Sequence, residues 1–201
     1  MFISKPHDLL RISGSDVLPA DAPAWAVDAL RSVPWVVVRR GPGPEGLIPV
    51  GVRGPSRAER YGTHVRLDDV REVVTPESLV RRTSCRDVSA LRMLDAVRPL
   101  LDDTGQAWGP TGSVGFELAT GQPTATPDSD LDLVVRVRSL RDSLPLLIAL
   151  HRQFRSLAAR VDCQVETSSG AAALAELVGD QPLVVVRTAE GPRLIARAAV
   201  S

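Results

Sequence analysis

The sequence predicts an α+β protein in two domains: a smaller α/β domain over residues 1–75, then a larger one over residues 76–201 with helices around a mixed sheet. Three observations carry this. β-rich runs bounded by Gly and Pro dominate the first part of the chain. Thr75-Pro76-Glu77 joins an N-cap hydroxyl, a proline suited to the first helical position and an acid in the first turn, so a helix and a new domain begin there. Beyond it, stretches with helical apolar spacing alternate with strand-like runs.

Taken in order, the first residues read as irregular. Ala22–Ser32 reads as a short helix, Pro34–Arg40 as a strand, and Gly41–Gly46 as a Gly/Pro loop. "LIPVGVRG" returns as a second strand, which makes a hairpin with a wide loop. "RGPSRAERYG" reads as a flexible arginine-bearing loop, and "HVRLDDVREVV" as strand and turn. From Ser84 to about Leu101, Val88, Leu91, Leu94, Val97 and Leu101 fall on one helical face. Val114–Thr120 reads as a short helix ended by Gly121, and Asp130–Val137 as a strand. A long helix runs from near Ser143 to about Arg160, followed by the strictly alternating strand Val161–Glu166. "GAAALAELVG" reads as a helix, and "PLVVVRT", "AEGP" and "RLIARA" as strand, turn and strand.

Bulk properties exclude several functions. The 24 basic and 24 acidic residues balance, so no net field draws the chain to nucleic acid or an anionic membrane. Aromatics make up 3% of the residues, too few for a base-stacking platform. Cys85 and Cys163 are far apart and show no zinc or redox spacing. "MFISKPHDLL" lacks the pattern of a secretory signal, and no apolar run is long enough to span a membrane, so a cytoplasmic location is expected. His7, His64 and His151 are isolated and read as ordinary surface or core residues.

The stretch "TGSVGFELATGQPTATPDSDLDL" carries the chemistry. Asp128-Ser-Asp130-Leu-Asp132 begins like a calcium loop, but Leu133 and Ser139 stand where glycine and glutamate belong. A P-loop needs a Gly-Lys pair, a dinucleotide fingerprint needs a third glycine, and a nucleophile elbow needs glycine at Thr111. A metal pair remains. Alternate strand residues share a face, so Asp130 and Asp132 point together while Leu131, Leu133 and Val135 point to a core. Two such carboxylates suit magnesium, and two ions would stabilise both attacking and leaving oxygens of an in-line displacement at phosphorus. Gly112-Ser113 before a helix offers N–H groups, a hydroxyl and a positive dipole end to a triphosphate. A third carboxylate comes from Asp162 or Glu166, with Asp162 preferred as metal ligand or proton acceptor. Arg53, Arg57 and Arg60 are expected to grip either the triphosphate or an acidic face of a partner protein.

Gly112-Ser113, a short helix and Ser129-Asp130-Leu131-Asp132-Leu133 together resemble the nucleotidyltransferase superfamily signature. More narrowly, "GSVGFELATG", "SDLDLVVRV", "VDCQVET", "VVVRTAEGP" and "PHDLLRI" look like the malonate decarboxylase holo-acyl carrier protein synthases, which are phosphoribosyl-dephospho-coenzyme A transferases. The likeness covers most of the chain and is strongest from Gly112 to Pro192. It implies a nucleotidyltransferase-like catalytic domain and the donor 2′-(5″-triphosphoribosyl)-3′-dephospho-coenzyme A. It also implies an acyl carrier serine as acceptor, pyrophosphate as product, Asp130 and Asp132 as the catalytic pair, and Ser129 beside them at the donor. "AWGPTG" departs from the pattern: Gly109 and Pro110 stand where the family's first core strand carries apolar residues. Two other readings fit the same motif: a nucleotidyltransferase with a different acceptor, and a binding module that recognises the carrier without turnover.

Overall fold

The computed structural model describes residues 4–56, 58–157 and 159–197. The chain forms two compact units, Met1–Thr75 and Pro76–Ser201. The fold is α+β, with one sheet in each unit.

The first unit comprises β1 (Leu9–Ile12), α1 (Ala24–Ser32), β2 (Trp35–Val38), β3 (Leu47–Arg53), β4 (Arg60–Arg66) and β5 (Val70–Val74). Its sheet has the order β4-β3-β2-β1-β5, and every pair is antiparallel. The period of two sends Leu10, Ile12, Val36, Val38, Val50, Val52 and Val65 into one core with Ala26 and Leu30 of α1. Each such side chain contributes about 1.5–3 kcal/mol on full burial. The opening residues, expected to be irregular, hold β1, an interior strand between β2 and β5. Its short run "LLRI" has little local signal; pairing on both edges makes it a strand.

The second unit comprises α2 (Pro76–Leu79), α3 (Ser89–Asp102), β6 (Ala107–Pro110), α4 (Gly112–Thr120), β7 (Leu131–Arg136), α5 (Leu140–Arg155), β8 (Val161–Thr167), β9 (Gly170–Ala173), α6 (Leu174–Val178), β10 (Leu183–Thr188) and β11 (Gly191–Ala196). The sheet order is β11-β10-β9-β8-β7-β6. Among the described residues only β7 and β8 run parallel in this sheet, and α5 makes the crossover between them.

Helices cover both faces of β7. Trp108 of β6 pairs with Val135 and donates its indole N–H to Asp102 of α3 at 3.1 Å, so α3 lies on the Leu133/Val135 face. Gly109 pairs with Val134 on the other face, where a Cβ would meet the Glu77 nitrogen of α2 at 2.8 Å. The glycine that shortens the apolar run therefore admits α2 against the sheet. Val134 is accordingly as buried as Leu133.

Several boundaries move for local reasons. Helix α3 starts at Ser89, after Val88 as N-cap, rather than near Ser84, because Ser84 and Arg86 are held in a side-chain network described below. Helix α5 starts at Leu140 rather than near Ser143, because the Ser139 hydroxyl caps it by accepting the Asp142 N–H. It ends at Arg155, short of Arg160. The run "GAAALAELVG" is not one helix. Gly170–Ala173 pairs antiparallel with β8, and only Leu174–Val178 is helical. Small residues suit a strand buried between β8 and β10, and that pairing overrides alanine's helix preference.

Candidate active site

The parallel ladder puts Asp132 opposite Asp162, Val134 opposite Gln164 and Arg136 opposite Glu166. Partners in register point to the same face. The two carboxylates 30 positions apart in sequence are thus neighbours near the start of both strands. Asp130 immediately precedes β7, where the Leu131 N–H donates to the Arg160 carbonyl at 3.1 Å.

Gly112 closes the other side. It opens α4 with φ +59, and a Cβ built on it would lie 2.7 Å from the Asp132 carboxyl carbon. Only glycine accepts both the dihedral and the contact. The Thr111 N–H donates to the Asp132 carbonyl at 2.9 Å, and the Gly115 N–H donates to the Thr111 carbonyl at 2.8 Å. The N-terminus of a nine-residue helix therefore stands directly beside Asp132. Gly112 and Ser113, expected before the helix, form its first turn, and Ser113 is buried.

Arg160, which the sequence reading passed over, joins the acids. Its guanidinium lies 3.1 Å from Asp162 and 3.9 Å from Asp130. No motif marks it; only the β7–β8 register does. Two rungs along the same face, Arg136 pairs with Glu77 of α2 at 2.6 Å and with Glu166. Glu166 is thereby committed to a buried ion pair, and Asp162 is the carboxylate that stands with Asp132.

Ser129 closes a turn: its hydroxyl accepts the Thr126 N–H at 2.9 Å. The loop before it hangs on Glu117 of α4, which is 4% exposed. That carboxylate accepts the N–H groups of Thr124 and Ala125 at 2.9 Å each, the Ser84 hydroxyl at 3.1 Å and the Arg86 guanidinium at 2.7 Å. Burial alone raises the pKa of Glu117, but the two N–H groups, the hydroxyl and the Arg86 charge together hold it below 4.5. Cys163, on the opposite side of β8 from Asp162, is pushed up to about 12 by burial and by the Asp162 charge, so it stays a neutral thiol.

The arginine segment of the first unit is not the open loop expected. Arg53 and Arg60 are cross-strand partners at the end of the β3–β4 hairpin, which the Gly54 N–H closes on the Glu59 carbonyl at 3.0 Å. Arg57 lies outside the described residues. On the same sheet face Arg39 crosses the paired Gly51 and Gly62; a Cβ at Gly51 would meet its Cδ at 3.3 Å.

The donor set suits magnesium, since Asp130, Asp132 and Asp162 offer oxygens only. Among the described residues no three His, Cys, Asp or Glu side chains are yet drawn together around one point. Asp130 is tied to Asp162 through Arg160 instead.

Residues 78–198 match the family model described as the phosphoribosyl-dephospho-CoA transferase MdcG C-terminal domain, and residues 5–76 match the corresponding N-terminal domain. The chain belongs to the phosphoribosyl-dephospho-CoA transferase family. Members of this family are transferase enzymes. A phosphoribosyl-dephospho-CoA transferase of Pseudomonas syringae pv. tomato is 42% identical over 200 residues, covering 97% of this chain and 93% of that protein. One from Pseudomonas fluorescens Pf0-1 is 41% identical, covering 94% and 92%. One from Azotobacter vinelandii is 39% identical, covering 96% and 93%. No solved structure matches the chain. Among the described residues no helix is long and apolar enough to cross a membrane.

Proposed function

We propose that this transferase attaches the phosphoribosyl-dephospho-CoA group to a serine of the malonate decarboxylase acyl carrier subunit. The donor is 2′-(5″-triphosphoribosyl)-3′-dephospho-CoA. The serine oxygen bonds to the phosphorus nearest the ribose, the bond from that phosphorus to the next phosphate oxygen breaks, and pyrophosphate leaves. The observation that carries the reading is the register of Asp132 with Asp162 beside the Gly112 helix start, in a chain whose two parts both match the family.

The residues divide the work. The N–H groups at the start of α4 favour phosphate oxygens, and Gly112 lets the Asp132 carboxylate pack directly against that helix start. Asp130, Asp132 and Asp162 are the residues that would hold magnesium, which supplies charge neutralisation for the departing pyrophosphate. In this reading Asp162, whose side chain is 46% exposed, accepts the proton of the incoming hydroxyl. Arg53, Arg57 and Arg60 bind the donor or an acidic face of the carrier in this reading.

Incubating the protein with apo carrier subunit, donor and magnesium tests it. The carrier should gain the mass of one prosthetic group for each pyrophosphate released. Transfer from ATP but not from the donor would favour a general nucleotidyltransferase. Carrier binding without turnover of either would leave only a binding module.

A further inference from the structure

The aspartates at the head of β7 and β8 gather negative charge there, and Arg160 brings a cation to two of them. Arg160 contacts Asp162 at 3.1 Å and Asp130 at 3.9 Å, and its side chain remains 70% exposed. Its backbone carbonyl accepts the Leu131 N–H, so the residue is anchored at the mouth of the parallel pair while its side chain stays free to swing. An exposed pair of this kind is weak and readily exchanged.

We propose that Arg160 is a built-in counter-ion that exchanges partners: it neutralises Asp130 and Asp162 in the resting protein, yields them to the divalent cation, and then pairs with the phosphates of the donor. This rests on the reading of these aspartates as cation ligands. The divalent ion and the guanidinium compete for the same two carboxylates, so loading the ion weakens their hold on the arginine. The displaced fork remains beside the strand starts, next to the helix end where the polyphosphate arrives. Guanidinium matches phosphate oxygens bidentately, so the exchange replaces carboxylate partners with phosphate partners without leaving either charge alone. Arg160 is thus a positioning residue in the resting state and a phosphate ligand in the loaded one.

Calorimetric titration with magnesium chloride alone, on the full chain without donor, tests the first half. Arg160→Ala should bind magnesium about two- to fivefold more tightly than the wild type, since a competitor worth at most about 1 kcal/mol has gone. Arg160→Lys, which keeps a competing charge, should stay near wild type. Titration with inorganic pyrophosphate at saturating magnesium tests the second half: Arg160→Ala should bind it at least about fivefold more weakly. Unchanged or weaker magnesium binding in Arg160→Ala overturns the exchange, as does unchanged pyrophosphate affinity. Asp132→Asn separates this from the underlying reading. If it abolishes magnesium binding while Arg160→Ala changes nothing, only the exchange falls. If it keeps wild-type magnesium affinity, the aspartates are not the ligands and both fall.

Discussion

Two arginine–carboxylate clusters sit on the same face of the same two strands, and they differ in one respect. At Arg136 the arginine side chain is 12% exposed and that of Glu166 6%, with Glu77 of α2 closing the group. At Arg160 the arginine side chain is 70% exposed, that of Asp130 30% and that of Asp162 46%. The residue types are nearly the same and the ladder is the same. The covering helix is not: α2 seals the Arg136 end, whereas the Arg160 end opens at the strand starts. A sealed pair cannot exchange its partners without stranding a charge in a low-dielectric interior, so it holds structure. An open pair exchanges at little cost, so it is available for chemistry. Charge composition alone does not assign a role; access of water and ligand does.

The sharpest contrast is expected between Asp132 and Arg136. Asp132→Asn should fold normally and lose about 10²–10³-fold or more in turnover, because in the proposed function the neutral amide would no longer hold the magnesium that neutralises the departing pyrophosphate. Arg136→Ala should do the reverse: thermal or urea unfolding should show a loss of about 3–5 kcal/mol from the stranded Glu166, with turnover per folded molecule little changed. Wild-type turnover in Asp132→Asn, or wild-type stability in Arg136→Ala, would erase the distinction between the open and sealed ends. Gly112→Ala comes next. The left-handed backbone alone costs about 1–2 kcal/mol, and the new methyl displaces the Asp132 carboxylate. A displacement on the order of 1 Å lowers turnover up to about 10²-fold, which steady-state kinetics and a melting curve separate.

The smallest effect concerns Glu117, a buried carboxylate that pairs with the partly exposed Arg86 but is bound mainly by N–H groups. Its folded pKa is depressed below 4.5, so its stabilisation is fully present above that value. It is lost as pH falls from 4.5 through the lower folded pKa. Glu117→Gln should cost about 1.5–3 kcal/mol at pH 7, and its melting temperature should fall less than the wild type's across that acid window. Parallel melting curves for the two proteins over that window would contradict the assignment.

Much of the frame can be read from local patterns. Thr75-Pro76-Glu77 starts a helix, the apolar run around Leu131–Val135 is a strand, and "PLVVVRT"–"AEGP"–"RLIARA" is a hairpin, because each depends on neighbours a few residues apart. The same holds for the pairing of a glycine-led helix with two aspartates, whose proximity is a short-range consequence of β6-α4-β7 order. What local pattern cannot carry is register. That Asp162 rather than Glu166 faces Asp132 depends on how two strands separated by α5 align, and the same alignment commits Glu166 to Arg136 and brings Arg160 to the acids. The strand at Gly170–Ala173 and the interior place of β1 were decided in the same way, by partners that exist only once the sheet has formed. The sequence by itself named most of the candidate site residues, Arg160 excepted, and showed where many elements begin. Tertiary structure decided which carboxylates are open and which are sealed, because burial and cross-strand pairing are properties of the assembled sheet and its helices rather than of any single segment.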